Sequence, residues 1–384
     1  MNNFIYENKT KVYFGQNGVK EYLGSLLEQY GNTVMLAYGG GSIKKNGIYD
    51  EVMKILNDKG KKVVEFSGIM PNPTYAKVQE GADIAKTNNV DLILAVGGGS
   101  VCDCCKVVSA QAKLEEDIWD LENTKHTFPH SFIPMGAIVT VFGTGSEMNA
   151  GAVITNEEKK IKGALFGAQA DFTFLDPMYT MSVPFGQVIS GAFDTLSHAM
   201  ETYFGKPDAN NLSDDINEAL MRSVIRNIRV LLKDHDNYEA RSELAWASSM
   251  AENGILKIGK VTDFQCHMIE HQLGAYTDCN HGKGLAVIHP VLYRHIYKEN
   301  TDRFARFAEN VWGVKEENNE KTALAGIDAL VAFIKEAGLP STFEELGIPA
   351  DTDLRAVADS TVITAGCCKK LSKDEIYEIL EECK

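Results

Sequence analysis

The sequence predicts an α/β amino-terminal half built on a mostly parallel sheet, followed by a half made almost wholly of helices. Short apolar runs alternate with amphipathic helical stretches from residue 33 to about 177, the rhythm of βαβ units. Two of these runs, TVMLAY and the VDLILAV that precedes Gly97, end abruptly in glycine clusters, as buried parallel strands do when they turn into a helix. Beyond Pro184 the alternation stops and apolar residues recur at helical spacing. At 384 residues the chain exceeds what one hydrophobic core organises, so two domains are expected, 1–184 and 185–384.

In order, residues 4–14 suit an edge strand or hairpin and 18–30 a helix. TVMLAY is a strand running into Gly39-Gly40-Gly41-Ser42, followed by a helix over 47–59 and a strand over 61–68. After the turn PNPTY, which contains Asn72, comes a helix over 75–88, then a strand into Gly97-Gly98-Gly99-Ser100 and a helix from about Val101. FIPMGAIVTVFGTGSEMN reads as a strand ending in a hydroxyl-rich turn, GAVITNEEKKIKGALF as a hairpin turning at 156–159, and DFTFLDP as a last strand. Helices are expected at 185–204, 212–232, 237–257, 260–273, 285–296, 301–311 and 321–336. Ser372 and Glu375 form a capping box for a final helix.

Both glycine clusters fall at the carboxyl ends of strands, where parallel sheets bind ligands. Gly98, Gly99 and Ser100 open a helix whose amides and positive end favour a phosphate. The motif is neither GxGxxG nor a Walker loop, and Asp103 follows it. The first cluster carries no acid to hold ribose hydroxyls, and Lys44 and Lys45 come next, which favours NADP(H) over NAD(H). The turn after the FIPMGAIV strand supplies hydroxyls and amides suited to a nicotinamide, and Lys162 on the hairpin's return strand can reach a phosphate.

The strongest signal lies between Asp194 and His281. Asp194 and His198 are four residues apart, so on a helix they project from one face. His267 and His271 repeat that spacing, and His281 follows a break at 274–280. A single helical histidine is usually a structural residue, but four of the nine histidines gather here beside a carboxylate. Imidazoles with one carboxylate suit Fe(II), Zn(II), Co(II) or Mn(II), with a position left open for substrate.

A formal charge of −15, from 38 basic and 53 acidic residues, argues against nucleic acid or anionic membranes as partners. No apolar run is long enough to span a membrane, the amino-terminal residues lack a signal-peptide core, and the eight cysteines, with adjacent pairs at 104/105 and 367/368, suit neither a disulfide framework nor the paired CxxC spacing of a structural zinc site. A cytoplasmic enzyme is expected.

Taken together, YGGGSIKKNG, PNPT, GGGSVCD, TVFGTGSEMN, GAFDTLSHAMETYF and the segment from His267 to His281 resemble, in order and over nearly the whole length, the iron-containing (group III) alcohol dehydrogenases. The likeness is to their butanol dehydrogenase and NADPH-dependent aldehyde reductase branch. It implies a Rossmann-like α/β domain, an all-helical domain, the general fold of dehydroquinate synthase, and an active site between the two. It further implies metal ligation by Asp194, His198, His267 and His281, with Fe2+ or Zn2+ as the metal. His271 falls on a non-ligand position near the nicotinamide and is the candidate proton relay. Gly98, Gly99, Ser100 and Asp103 match the pyrophosphate loop. Thr140, Thr144 and Asn149 match the nicotinamide surroundings, Lys162 a cofactor contact, Asn72 the PNPT turn, and Gly39 and Ser42 the adenosine end. The expected reaction interconverts short primary alcohols, such as butanol, and aldehydes in a homodimer. The alternative is a lyase of dehydroquinate synthase type.

Overall fold

The computed structural model describes every residue from Met1 to Lys384. Two compact units emerge: Glu7–Pro184, and Phe185–Lys384 together with Met1–Tyr6. The first six residues thus group with the helices and not with the α/β unit, as a hydrogen bond from the Asn2 amide to the Gly259 carbonyl illustrates (3.0 Å).

The α/β unit runs β1 (Lys11–Phe14), α1 (Gly18–Leu27), β2 (Thr33–Tyr38), α2 (Ser42–Lys45), α3 (Ile48–Asp58), β3 (Lys62–Phe66), α4 (Tyr75–Thr87), β4 (Leu92–Gly97), α5 (Gly99–Gln111), α6 (Ile118–Asn123), β5 (Met135–Val139), β6 (Gly151–Asn156), β7 (Ile161–Phe166) and β8 (Phe172–Leu175). Six strands make one parallel sheet in the order β1-β8-β5-β4-β2-β3, and β6 and β7 pair as a separate antiparallel hairpin. Side chains alternate across the sheet. Met35, Ala37, Ile93 and Ala95 face a core shared with Val78 and Ala82 of α4 and Val107 and Val108 of α5. Val34, Leu36, Leu92 and Leu94 face the opposite core, with Val19 and Leu23 of α1 and Val52 and Leu56 of α3. Burial on both faces explains why these strands read as unbroken apolar runs.

From β2 the chain moves outward to β3, then crosses back to β4 on the other side of β2 and continues to β5 and β8. The reversal lies between β2 and β4, the position where an open parallel sheet leaves a crevice at its carboxyl ends. Both glycine clusters border it.

The amino-terminal strand is shorter than expected from residues 4–14. Thr10 gives its amide to the Asn8 side chain (3.1 Å) and its hydroxyl to the Ala170 carbonyl (2.8 Å), so local side-chain bonds replace the ladder until Lys11.

The helical unit comprises α7 (Phe185–Tyr203), α8 (Leu212–Leu231), α9 (Tyr238–Glu252), α10 (Gln265–Thr277), α11 (His281–Ile296), α12 (Thr301–Phe307), α13 (Asn319–Glu336), α14 (Phe343–Leu346), α15 (Leu354–Ser360) and α16 (Lys373–Glu382). Capping boxes open α8 at Asn211 and α16 at Ser372. α9 stops before residue 257 because Gly254 turns left-handed (φ 92°). α10 starts only after Phe264, itself left-handed at φ 53°, and continues through Gly274 to Thr277. His281 is not in a loop: Asn280 caps α11 by accepting the Lys283 amide (3.1 Å), which makes His281 the first residue of that helix. The short helices α6, α14 and α15 carry too few turns for periodicity to reveal them.

Candidate metal centre and dinucleotide turns

From Val188 onward α7 is buried on nearly every face, so its polar side chains must find partners inside the protein. Asp194 is the meeting point. Its Oδ1 lies 3.8 Å from His198 Nδ1, 3.4 Å from His267 Nε2 and 3.5 Å from His281 Nε2. The ligand atoms of Asp194, His267 and His281 all fall within 4.8 Å of one another. His198 stands just outside that triplet, its ring stacked on His267 with centroids 4.5 Å apart.

Two buried carboxylates aim the rings. Glu201, one turn beyond His198 on α7, meets His267 Nδ1, and Glu270 of α10 meets His281 Nδ1. Each contact fixes which nitrogen faces Asp194, the usual arrangement behind a metal-binding imidazole. Glu201 also accepts the backbone amides of Cys266 and His267, so it holds the first turn of α10 as well.

The donor set suits a divalent cation. Asp194 Oδ1, His198 Nδ1 and His267 Nε2 are buried and have no hydrogen-bond partner, an arrangement costly for polar atoms unless something satisfies them. Burial pushes the Asp194 carboxyl up, but the imidazoles of His198, His281 and His267 outweigh it and hold the group below its ordinary range. For Glu201, burial is likewise overcome by His267. At His267 burial acts against the proton, yet Glu201 and Asp194 prevail and push its pKa up to about 10. Two buried carboxylates draw positive charge to this point, as the raised His267 shows, and imidazole nitrogens with a carboxylate oxygen are the ligands a divalent cation takes.

His271 lies beside this group, its ring 5.5 Å from that of His281 and 5.9 Å from that of His267. With Glu270 and His281 it forms a second cluster of possible ligand atoms. Phe264 packs its ring 5.1 Å from His267 and 5.9 Å from His198, and Lys257 Nζ lies 4.8 Å over its face. Glu201, Glu270 and Phe264 join this group without being among the residues expected from the sequence. The signal for the first two was present: acids inside apolar helical segments, seven residues after Asp194 and three after His267.

In the α/β unit Gly98, Gly99 and Ser100 open α5, and Thr140 and Thr144 lie against that turn. A Cβ on Gly99 would lie 2.3 Å from Thr144 Oγ1, and one on Gly98 would lie 3.1 Å from Val141 Cβ. The Thr140 amide donates to the Gly97 carbonyl (2.9 Å). Gly99 is therefore required by its contact with Thr144, whatever binds there. Both carboxylate oxygens of Asp103 accept hydrogen bonds: Ser146 Oγ donates to one and the Val153 amide to the other (2.8 Å). Lys106, fully buried, donates to Asn149 Oδ1 (2.9 Å) and the Gly151 carbonyl (2.6 Å). These two residues tie α5 to the hydroxyl-rich turn. Lys162 is buried on β7 opposite Thr155, and the Thr155 amide reaches the Pro73 carbonyl (2.9 Å), bringing β6 beside the turn that holds Asn72 (φ 52°). Gly39 and Ser42 lie at the end of β2, across the sheet reversal from the Gly98 turn.

Residues 9–177 match the family model of iron-containing alcohol dehydrogenases, and residues 188–383 match the model of that family's C-terminal region. The chain is 40% identical to a probable NADH-dependent butanol dehydrogenase 1 of Bacillus subtilis, with 99% of each chain covered. It is 35% identical to the NADPH-dependent aldehyde reductase YqhD of Escherichia coli, covering 91% of this chain and 90% of that one. The crystal structure of NADH-dependent butanol dehydrogenase A of Thermotoga maritima superposes with a TM-score of 0.94 at 35% identity, covering 100% of this chain and 99% of the other. With both halves matched and the relatives aligned end to end, the chain belongs to the iron-containing alcohol dehydrogenase family.

Proposed function

We propose that this dehydrogenase interconverts short primary alcohols and their aldehydes at a divalent cation held by Asp194, His198, His267 and His281, with the dinucleotide at the turns after β2 and β4. Family membership makes it a metal-dependent, NAD(P)-linked alcohol oxidoreductase and sets the lyase alternative aside. The observation that carries the residue assignment is the convergence of three imidazoles on one buried oxygen of Asp194.

A bound Fe2+ or Zn2+ supplies polarisation of the substrate oxygen, and the nicotinamide supplies or accepts the hydride. The remaining tasks fall to the chain. Asp194 brings the negative charge, and Glu201 and Glu270 keep the nitrogens of His267 and His281 turned towards it. The buried setting excludes water and strengthens every charge interaction within it. His271 moves the proton to or from the substrate oxygen. Gly98, Gly99 and Ser100 receive the pyrophosphate at the first turn of α5, and Thr140, Thr144 and Asn149 flank the nicotinamide. Lys162 and Asn72 contact the cofactor, while Asp103 acts as a positioning residue through Ser146 and Val153. The Gly39 turn carries no acid, which favours NADP(H).

Two copies associate, in this reading, through the free edge of β1, where Phe14 is 47% and nearby Tyr22 40% exposed. The eight free thiols suit a reducing compartment such as the cytoplasm, and no helix is long and apolar enough to cross a membrane.

Purified protein with butanal and NADPH or NADH tests the reading. Aldehyde-dependent loss of nicotinamide absorbance, abolished by chelation and restored by Fe2+ or Zn2+, is expected. No loss with either dinucleotide across a panel of short aldehydes overturns it.

A further inference from the structure

The charge at the first glycine turn is not what the sequence order suggests. Lys44 follows the turn directly, but its Nζ lies 3.4 Å from a Glu65 carboxylate oxygen and 5.0 and 4.4 Å from the ring centres of Tyr38 and Tyr49. Glu65 is fixed in turn: the Tyr49 hydroxyl donates to one oxygen (2.7 Å) and the Tyr38 hydroxyl to the other. Tyr38 ends β2, Lys44 is on α2, Tyr49 on α3 and Glu65 on β3, in register with Leu36 of β2. Four elements thus meet beside the first glycine turn, on the β3 side of β2. An isolated surface ion pair is weak, but two aromatic faces and two hydroxyl donors make this one a network.

We propose that Glu65 sets the preference between the two dinucleotides by holding Lys44, so that its charge is not available to a 2′-phosphate. The inference rests on the reading that the adenosine end occupies the Gly39–Ser42 turn. With Lys44 paired to Glu65, the charge it brings to the turn is offset. The enzyme is therefore less selective for NADP(H) than its acid-free turn implies, and NADH remains usable.

The test is the ratio of kcat/KM for NADPH to that for NADH in the wild type, E65Q, K44M and the E65Q/K44M double variant. Glutamine keeps the shape and can still accept from a tyrosine. Removing the carboxylate charge from this partly exposed cluster raises the ratio by roughly tenfold in E65Q at low salt, and the rise shrinks as salt increases. In E65Q/K44M most of that gain is gone. A ratio unchanged in E65Q, or a gain of equal size with Lys44 absent, overturns the proposal. So does a change confined to NADH, which would mean that Glu65 holds the ribose hydroxyls directly. Thermal melting of K44M and E65Q checks that each variant folds. A wild type with no dinucleotide-linked activity refutes the functional reading itself; activity with an unmoved ratio refutes this inference alone.

Discussion

The candidate metal centre and the candidate dinucleotide turn solve opposite problems. The centre concentrates buried charge: Asp194 and Glu201 lie among imidazoles, and three of its polar atoms have no hydrogen-bond partner. At the turn the polar side chains are occupied, with Asp103 bonded to Ser146 and Val153 and Lys106 to Asn149 and Gly151. What that turn offers is backbone, brought close by the absence of side chains at Gly98 and Gly99. One site is recognised by what it leaves unsatisfied, the other by what it omits. An orphaned carboxylate oxygen alone does not make the first kind. Glu122 Oε1 is also buried without a partner, yet Glu122 belongs to no cluster of possible ligands. Convergence is the distinguishing property.

Four substitutions probe that contrast. His267→Ala removes a donor from the centre and leaves the turn untouched. We expect kcat/KM to fall by at least about 10³-fold, because polarisation is worth several kcal/mol. Titration of NADPH fluorescence should show nearly unchanged binding, and wild-type turnover in the variant would break the distinction. Glu201→Gln keeps every ligand but loosens the aim of His267. Metal affinity, measured by competition with a chelator, should fall by roughly 10–100-fold.

Gly99→Ala attacks the other site through packing. The new methyl meets Thr144 at 2.3 Å, and overpacking of this sort costs about 1–3 kcal/mol of stability in urea unfolding, with weaker dinucleotide binding. Pairing it with Thr144→Gly should recover the stability but not the binding. Full recovery of both would reduce Gly99 to a packing residue.

Glu122→Gln lies outside both sites, touches stability alone and has the clearest pH signature. Burial, partly offset by the Phe166 amide, pushes the Glu122 pKa up to about 7 from an ordinary 4.5. The folded state therefore favours the protonated acid. Its contribution to stability is complete below 4.5 and is lost as pH rises through 7. Glutamine mimics the protonated form, so the variant should gain about 1–3 kcal/mol over wild type at pH 8 and little at pH 4.5. An equal difference at both values would sink the argument.

Much of this architecture is legible in the amino-acid order, for definable reasons. TVMLAY reads as a strand because both its faces meet a core, and Asp194 and His198 declare themselves because helical spacing is fixed. Other features depend on partners distant in sequence. Nothing near Lys44 announces that Glu65, twenty-one residues on, holds it. The turn-like residues 274–280 mask the helix-start signal of Asn280, which sets His281 at the head of α11 and not in a loop. Glu201 and Glu270 are legible only as acids inside apolar helical segments, and the fold alone brings each against a particular ring nitrogen.

Glu201 has one more implication. The same carboxylate that turns His267 also anchors the opening amides of α10, so backbone and donor are held by a single group of the protein. Ring orientation is then independent of which ion arrives. Stripping and reloading should proceed without unfolding, and different transition metals should be interchangeable in the test tube. The ion carried in a living cell would reflect local supply more than any selectivity of the cage.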